Sequence, residues 1–160
     1  MRQIVGVGDM KIGTSPDDQI VTYALGSCLG ITIYDPVTRI GGMLHVMLPD
    51  STIDAEKAAK NPYMFVDTGL PVLFHSAYRA GAKKENIILK VAGGACMGGR
   101  EEEDRFQIGK RNFTKLRQLL WKNGVLLKAQ NVGGSVSRTM TLDIATGEVT
   151  LRTNEVVTKL

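Results

Sequence analysis

Only two cysteines occur in the 160 residues, Cys28 and Cys96, and no C-x-x-C spacing relates them. A disulfide framework and a structural zinc site are therefore not expected, and a reducing, cytoplasmic setting is. Long hydrophobic runs are missing as well. No segment approaches the roughly 18 uncharged apolar residues of a membrane span, and the first residues, Met1-Arg2-Gln3-Ile4-Val5-Gly6-Val7-Gly8-Asp9, lack the apolar core of a signal peptide. Neither secretion nor membrane insertion is expected. Charge of one sign is scarce, with 20 Lys and Arg against 16 Asp and Glu, a formal +4 that favours acidic partners without selecting one. The nearest approach to a basic face is Lys110, Arg111, Lys115, Arg117 and Lys122. These read as the solvated side of an amphipathic helix, and few aromatics interleave with them, so a nucleic-acid partner is not expected. Linkers and low-complexity runs are also lacking. The reading is one domain over 1–152, with 153–160 as a C-terminal tail, large enough to bury about two-thirds of its unfolded surface.

What is present alternates between strand and helix periodicity. Residues 3–9 and 19–25 read as extended, and 28–34 and 40–45 flank Asp35-Pro36-Val37-Thr38-Arg39, where proline presets a turn. Leu70, Leu73, Phe74, Ala77 and Tyr78 recur at helical spacing, with Thr68 as a cap, Gly81 as a stop and Pro71 tolerable only in the first turn. Residues 87–92 form a short apolar strand running into Gly93-Gly94-Ala95. A second amphipathic helix carries Ile108, Phe113, Leu116, Leu119 and Leu120 and stops at Asn123-Gly124. Strands follow at 125–131, 136–142 and 148–152, the last two joined by Asp143-Ile144-Ala145-Thr146-Gly147. That turn shares the Asp-x-x-Thr pattern of 35–39. Strands at both ends with two main helices between them predict an α+β, layered mixed-sheet sandwich.

The chemistry concentrates in Thr22-Tyr23-Ala24-Leu25-Gly26-Ser27-Cys28-Leu29-Gly30 and Gly41-Gly42-Met43-Leu44-His45-Val46-Met47-Leu48-Pro49. If 28–34 and 40–45 form a hairpin, Cys28 lies seven residues before Asp35 and His45 six after Arg39, so thiol and imidazole come nearly opposite at the open end. A thiol beside an imidazole is a nucleophile with its base. Gly26 and Ser27 would free backbone N–H groups for an oxyanion. Thr22, on the adjacent strand, is a candidate to orient the ring. Each residue also has a bland reading: Cys28 as a small buried hydrophobe, His45 as a core histidine among apolar neighbours, Thr22 as a β-former. His75 falls off the apolar stripe of its helix, and Cys96 has no histidine nearby in sequence. The glycines of 93–99 superficially resemble a phosphate loop, but the Gly-Lys-Ser/Thr ending is missing and Glu101-Glu102-Glu103-Asp104 would repel phosphate.

At these residues the chain resembles the chemoreceptor glutamine deamidases of the CheD family. The resemblance covers roughly 7–152 and rests on the Thr22 to Gly30 motif, Tyr34-Asp35-Pro36, His45-Val46-Met47-Leu48-Pro49, Gly93-Gly94-Ala95, Ile108-Gly109-Lys110-Arg111-Asn112 and Val132-Gly133-Gly134. It implies that Cys28 is the nucleophile, His45 the base and Thr22 the orienting hydroxyl. The implied reaction is hydrolysis of glutamine carboxamides on methyl-accepting chemotaxis receptors through a thioester, with no metal or organic cofactor. It further implies a likeness to the catalytic core of cytotoxic necrotizing factor toxins and binding to the phosphatase CheC. The segment Cys96-Met97-Gly98-Gly99-Arg100 departs from the family pattern, where a bulkier apolar residue is expected after Met97, a departure that bears on CheC rather than on catalysis. Pairing with an imidazolium is expected to raise the Cys28 thiolate fraction roughly thirtyfold above the few per cent of a free thiol. His45 is expected in a cleft from which it can be removed without emptying the core. The competing expectations are a non-catalytic adaptor docking on receptors or on CheC, and a thiol enzyme acting on a small amide.

Overall fold

Short runs rich in Val, Ile and Thr favour the pleated conformation, and here they pair into two mixed five-stranded sheets. The computed structural model describes residues 1–97 and 106–160. In chain order the elements are β1 (Arg2–Val5), β2 (Asp9–Gly13), β3 (Gln19–Leu25), β4 (Leu29–Asp35), β5 (Ile40–Val46), α1 (Ala55–Lys60), α2 (Val66–Ala80), β6 (Ile88–Gly93), α3 (Ile108–Lys122), β7 (Leu127–Val132), β8 (Arg138–Asp143), β9 (Val149–Thr153) and β10 (Val156–Lys159). The first sheet has the order β1-β3-β8-β9-β10 and the second β2-β5-β4-β6-β7. β1 with β3 and β6 with β7 run parallel, and the remaining pairs are antiparallel. The class is α+β, with two mixed sheets and few helices.

Two apolar layers result. Ile20, Leu25, Tyr34, Met43, Met140 and Leu142 fill the space between the sheets. Leu29, Ile31, Ile33, Leu44 and Val46 join the outer face of the second sheet to Leu70, Leu73 and Phe74 of α2 and to Leu116 and Leu120 of α3. Each fully buried Leu or Phe contributes about 1.5–3 kcal/mol of transfer free energy. β4 and β5 are covered on both faces and buried along their whole length. Because side chains alternate across a strand, odd residues of β4 and even residues of β5 face the helices. Gly30 and His45 therefore face the first sheet.

The β4–β5 hairpin forms with Leu29 opposite Val46 and Asp35 opposite Ile40. Its turn and the one between β8 and β9 use the same chemistry. Asp35 Oδ1 accepts from Val37 N–H (2.8 Å) and Asp143 Oδ1 from Ala145 N–H (3.0 Å). Arg39 and Gly147 then return their N–H to the aspartate carbonyl, at φ 58° and 76°. The Asp35 carboxyl is held below its ordinary range by backbone N–H donors from Lys83, Thr38 and Val37 despite burial. Gly81 caps α2 in the left-handed conformation, as its position predicts.

Other expectations are corrected. The extended stretch at 3–9 divides, because a left-handed Gly8 (φ 66°) ends one strand and starts another. The residues after Arg152 do not trail as a tail: β10 folds back on β9, pairing Val156 with Thr153 and Lys159 with Thr150. α2 starts at Val66 without a side-chain cap. Thr68 instead donates its hydroxyl to Pro62 O (2.6 Å), and Pro71 lies inside the helix past the first turn. The acidic run at 101–104 and the departure at 98–100 lie outside the described residues.

Gly93, the last residue of β6, has φ 112°, and a Cβ there would run into the Cys28 carbonyl oxygen. Gly93→Ala adds left-handed strain to that clash, about 2 kcal/mol or more, and should lower the thermal midpoint by about 4–8 °C. A differential scanning calorimetry trace indistinguishable from wild type would contradict the close approach.

Candidate active site

His45 sits on β5 directly opposite Gly30 of β4. Cys28 lies two residues before Gly30 and packs against the inter-sheet layer. Thiol and imidazole thus lie on one face of the hairpin, as diagonal neighbours across a glycine rather than as a directly opposed pair. No hydrogen bond joins them in this structure, and His45 Nε2 has no hydrogen-bond partner among the described residues.

The other ring nitrogen is held. Thr22 Oγ1 lies 2.7 Å from His45 Nδ1 and 2.8 Å from the Val5 carbonyl oxygen. A threonine hydroxyl has one hydrogen, and a carbonyl can only accept. The hydroxyl therefore donates to Val5, and Nδ1–H donates to Oγ1. The neutral ring then carries its proton on Nδ1 and an open lone pair on Nε2, the tautomer a general base toward Cys28 requires.

Burial sets the charge state. His45 is only 1% exposed, and desolvation pushes its pKa down to about 4. Desolvation also pushes the half-buried Cys28 thiol up, opposed in part by a hydrogen bond from its own backbone N–H. Both shifts favour the neutral forms at pH 7, against the expected standing thiolate–imidazolium pair. The expected open cleft around His45 is likewise corrected, since the ring is enclosed between the sheets.

The segment leading to Cys28 is shaped by a β-bulge. The pairing of β3 with β8 shifts register between Thr22 and Leu25, and Ala24 takes φ 56°, a conformation costing a non-glycine residue about 1–2 kcal/mol. The bulge turns the chain sharply between Thr22 and Cys28. Gly26 N–H is spent inside this turn on Ala24 O (3.0 Å), so it is unavailable to an oxyanion. Gly26 is needed for space, since a Cβ would stand 2.9 Å from Met97 Cγ. Ser27 N–H and Cys28 N–H are given to no oxygen among the described residues.

Two buried polar residues near the site were not assigned a role from the sequence. Asn112 of α3 donates through Nδ2 to Ser27 O (3.0 Å) and to Met47 O (3.1 Å). Arg138 of β8 donates to Asn131 Oδ1 (2.8 Å), Gly133 O (2.7 Å) and Gly93 O (3.3 Å), fixing the glycine loops behind Cys28. A signal for each was present. Asn112 shares the apolar stripe of Leu116 and Leu120, and Arg138 alternates with Met140 and Leu142; a polar group on a buried face needs a reason. His75 is exposed on α2, and α2 packs on the face of the second sheet away from Cys28. Cys96 N–H donates to Gly134 O (2.9 Å), and neither cysteine forms a disulfide. Among the described residues, no group of three His, Cys, Asp or Glu side chains is gathered as a metal ion would require.

The neutral His45 makes a pH prediction. Its pKa is about 4 folded against about 6.5 unfolded. Its contribution is therefore complete above pH 6.5 and is lost as the pH falls toward 4, by up to about 3 kcal/mol. His45→Asn keeps an N–H for Thr22 but cannot titrate. Urea unfolding from pH 7 to 4 should show a steeper loss in wild type than in that variant. Equal slopes would show that His45 is not held neutral.

The "CheD chemotactic sensory transduction" family model matches residues 47–153. The chain is 50% identical over 151 residues to the "Probable chemoreceptor glutamine deamidase CheD" of Solibacter usitatus, covering 94% of this chain and 88% of that one. The "Probable chemoreceptor glutamine deamidase CheD 1" of Syntrophus aciditrophicus is 44% identical over 94% and 93% of the two chains. The "Probable chemoreceptor glutamine deamidase CheD" of Pyrococcus abyssi is 41% identical over 92% and 89% of the two chains. A match of 151 residues in a chain of 160 necessarily spans Thr22, Cys28 and His45, which lie outside the family-model match. On this breadth of likeness, carried by a fold that brings those three residues to one layer, the chain belongs to the CheD family.

Proposed function

We propose that the protein is a protein-glutamine deamidase that converts glutamine side chains of methyl-accepting chemotaxis receptors to glutamate with release of ammonia. The observation that carries this reading is the Thr22–His45 hydrogen bond, which leaves Nε2 bare on the face shared with Cys28. The printed names of the relatives supply the substrate: a chemoreceptor glutamine.

In the proposed mechanism Cys28 and His45 are both neutral at rest. As Sγ attacks the carboxamide carbon, the thiol proton passes to His45 Nε2, and the imidazolium charge is spread toward Thr22 through Nδ1–H. The tetrahedral intermediate collapses when Nε2–H protonates the departing nitrogen, which leaves as ammonia, and a thioester to Cys28 remains. Water then gives a proton to Nε2 as its oxygen attacks the thioester. Collapse expels sulfur, which takes the proton back, and glutamate departs. No step calls for a metal or organic cofactor. Burial costs the thiol some ionisation but strengthens every dipole aimed at the reacting atoms.

Receptor cytoplasmic domains as substrate place the protein in the cytoplasm, and no described helix is long and apolar enough to cross a membrane. The proposed likeness to the necrotizing factor catalytic core consists of a layered sandwich holding a Cys–His pair. A CheC partner rests on the family resemblance alone, because 98–100 lie outside the described residues.

Incubation with a receptor cytoplasmic fragment should release ammonia and add one dalton per modified site. Cys28→Ala and His45→Asn should each fall by at least about 10³-fold, with His45→Asn retaining its cooperative thermal transition. Equal and negligible signal from wild type and Cys28→Ala would favour the adaptor reading, and turnover of free amides alone would favour a small-amide enzyme. Because His45 is neutral down to about pH 4, the acid limb of kcat/KM should lie near that value. A limb at pH 6.5 would contradict the neutral resting pair.

A further inference from the structure

Three successive carbonyls at the nucleophile are held from behind. Gly26 O accepts from Ala95 N–H (2.8 Å), Ser27 O from Asn112 Nδ2 (3.0 Å) and Cys28 O from Gly94 N–H (2.9 Å). In a trans peptide the N–H points opposite to the C=O of the same planar unit, and none of the peptide bonds here is cis. The Ser27 carbonyl shares its unit with the Cys28 N–H. Whatever draws that carbonyl inward turns the Cys28 amide hydrogen outward. The Cys28 N–H so turned is given to no oxygen among the described residues.

The group that draws the carbonyl inward is fully buried Asn112. Gly109, three residues earlier, lets the start of α3 press against the loop after β6, since a Cβ there would meet Gly94 at 2.6 Å. The carboxamide NH2 has two hydrogens, and both are used, the second on Met47 O (3.1 Å). Met47 lies just past the last ladder pair, Leu29 with Val46, and two residues after His45. One side-chain amide therefore bridges the strand end carrying the nucleophile to the strand end carrying the base, where the β4–β5 ladder stops. Its Oδ1 has no hydrogen-bond partner among the described residues. A buried carbonyl oxygen left without a donor is a standing cost, borne at a position where a leucine would complete the apolar stripe of α3.

We infer that Asn112 is a positioning residue for the deamidation. By holding the Ser27 carbonyl, it aims the Cys28 N–H at the oxygen that becomes negative when the thiol adds to the glutamine carboxamide. The inference rests on the deamidase reading. Asn112 touches no reacting atom itself. Ala95 N–H sets the Ser27 N–H in the same way, as a backbone donor that substitution cannot remove.

The test separates an oxyanion effect from a general loosening. Asn112→Ala and Asn112→Ser are assayed on the receptor fragment, and Cys28 is alkylated with iodoacetamide, a displacement at saturated carbon that develops no oxyanion. Loss of one aimed donor costs about 10²–10³ in kcat. The expected result is a fall in kcat of about 10²-fold in either variant that folds, with KM within about twofold and alkylation within about threefold of wild type. An unchanged kcat would overturn the inference. So would alkylation falling as far as kcat, which would make Asn112 a holder of the thiol alone, or failure of both variants to fold, which would assign it to the framework. A wild type inert on receptors defeats the deamidase reading and this inference together. An active wild type matched by Asn112→Ala defeats only the inference.

Discussion

The hydroxyl of Thr22 is where the two sheets are tied at the site. It belongs to β3 of one sheet, gives its single hydrogen to Val5 of β1 in the same sheet, and receives the Nδ1 hydrogen of His45 from β5 of the other. That direction of donation decides which ring nitrogen is bare and therefore which way the base faces. With the hydrogen bond reversed, the same residues at the same distances would place the lone pair on the wrong side of the ring. The sheet carrying Thr22 orients the ring, and the proposed reaction is left to the hairpin.

A histidine between two sheets is expensive to charge, and Cys28 is expensive to ionise for the same reason. The two costs favour keeping the proton on sulfur until a substrate carbonyl is present. In the proposed mechanism an electrophile then changes the balance, because transfer of one proton across the hairpin creates both a nucleophile and an acid for the leaving ammonia. The rigid platform for this is the β4–β5 hairpin, buried on both faces. Its open end is closed by polar groups reaching in from outside the hairpin: Asn112 from α3, and Arg138 from β8 through Gly93.

Much of this was legible before any coordinates. The Asp-x-x-Thr turns announced both hairpins, and the i, i+3, i+4 spacing of Leu70, Leu73, Phe74 and Ala77 announced α2, because local hydrogen bonding and local periodicity decide those elements. Counting along the β4–β5 hairpin brings Cys28 and His45 to its open end, whereas Thr22 reaches the ring from β3 of the other sheet, which no count along the hairpin reveals. Harder to see were features set by distant neighbours. β10 is only four residues long and passes for a tail until β9 offers an edge to pair with, and Pro71 sits inside α2 because packing, rather than propensity, fixed the helix start. The sequence points to a charged pair, whereas burial favours the neutral forms of both groups. Sequence reveals that two residues approach, whereas the balance between their attraction and their desolvation depends on how completely the sheets close over them. Asn112 and Arg138 were visible as polar residues on apolar periodicities, but their targets are backbone carbonyls, which carry no signature in a sequence.

The most direct measurement of the central claim is the ¹⁵N NMR spectrum of the His45 imidazole in the resting protein at pH 7. The account predicts a neutral ring with a protonated, pyrrole-type Nδ1 and a bare, pyridine-type Nε2. Two protonated nitrogens at that pH, or a neutral ring with its hydrogen on Nε2, would contradict it.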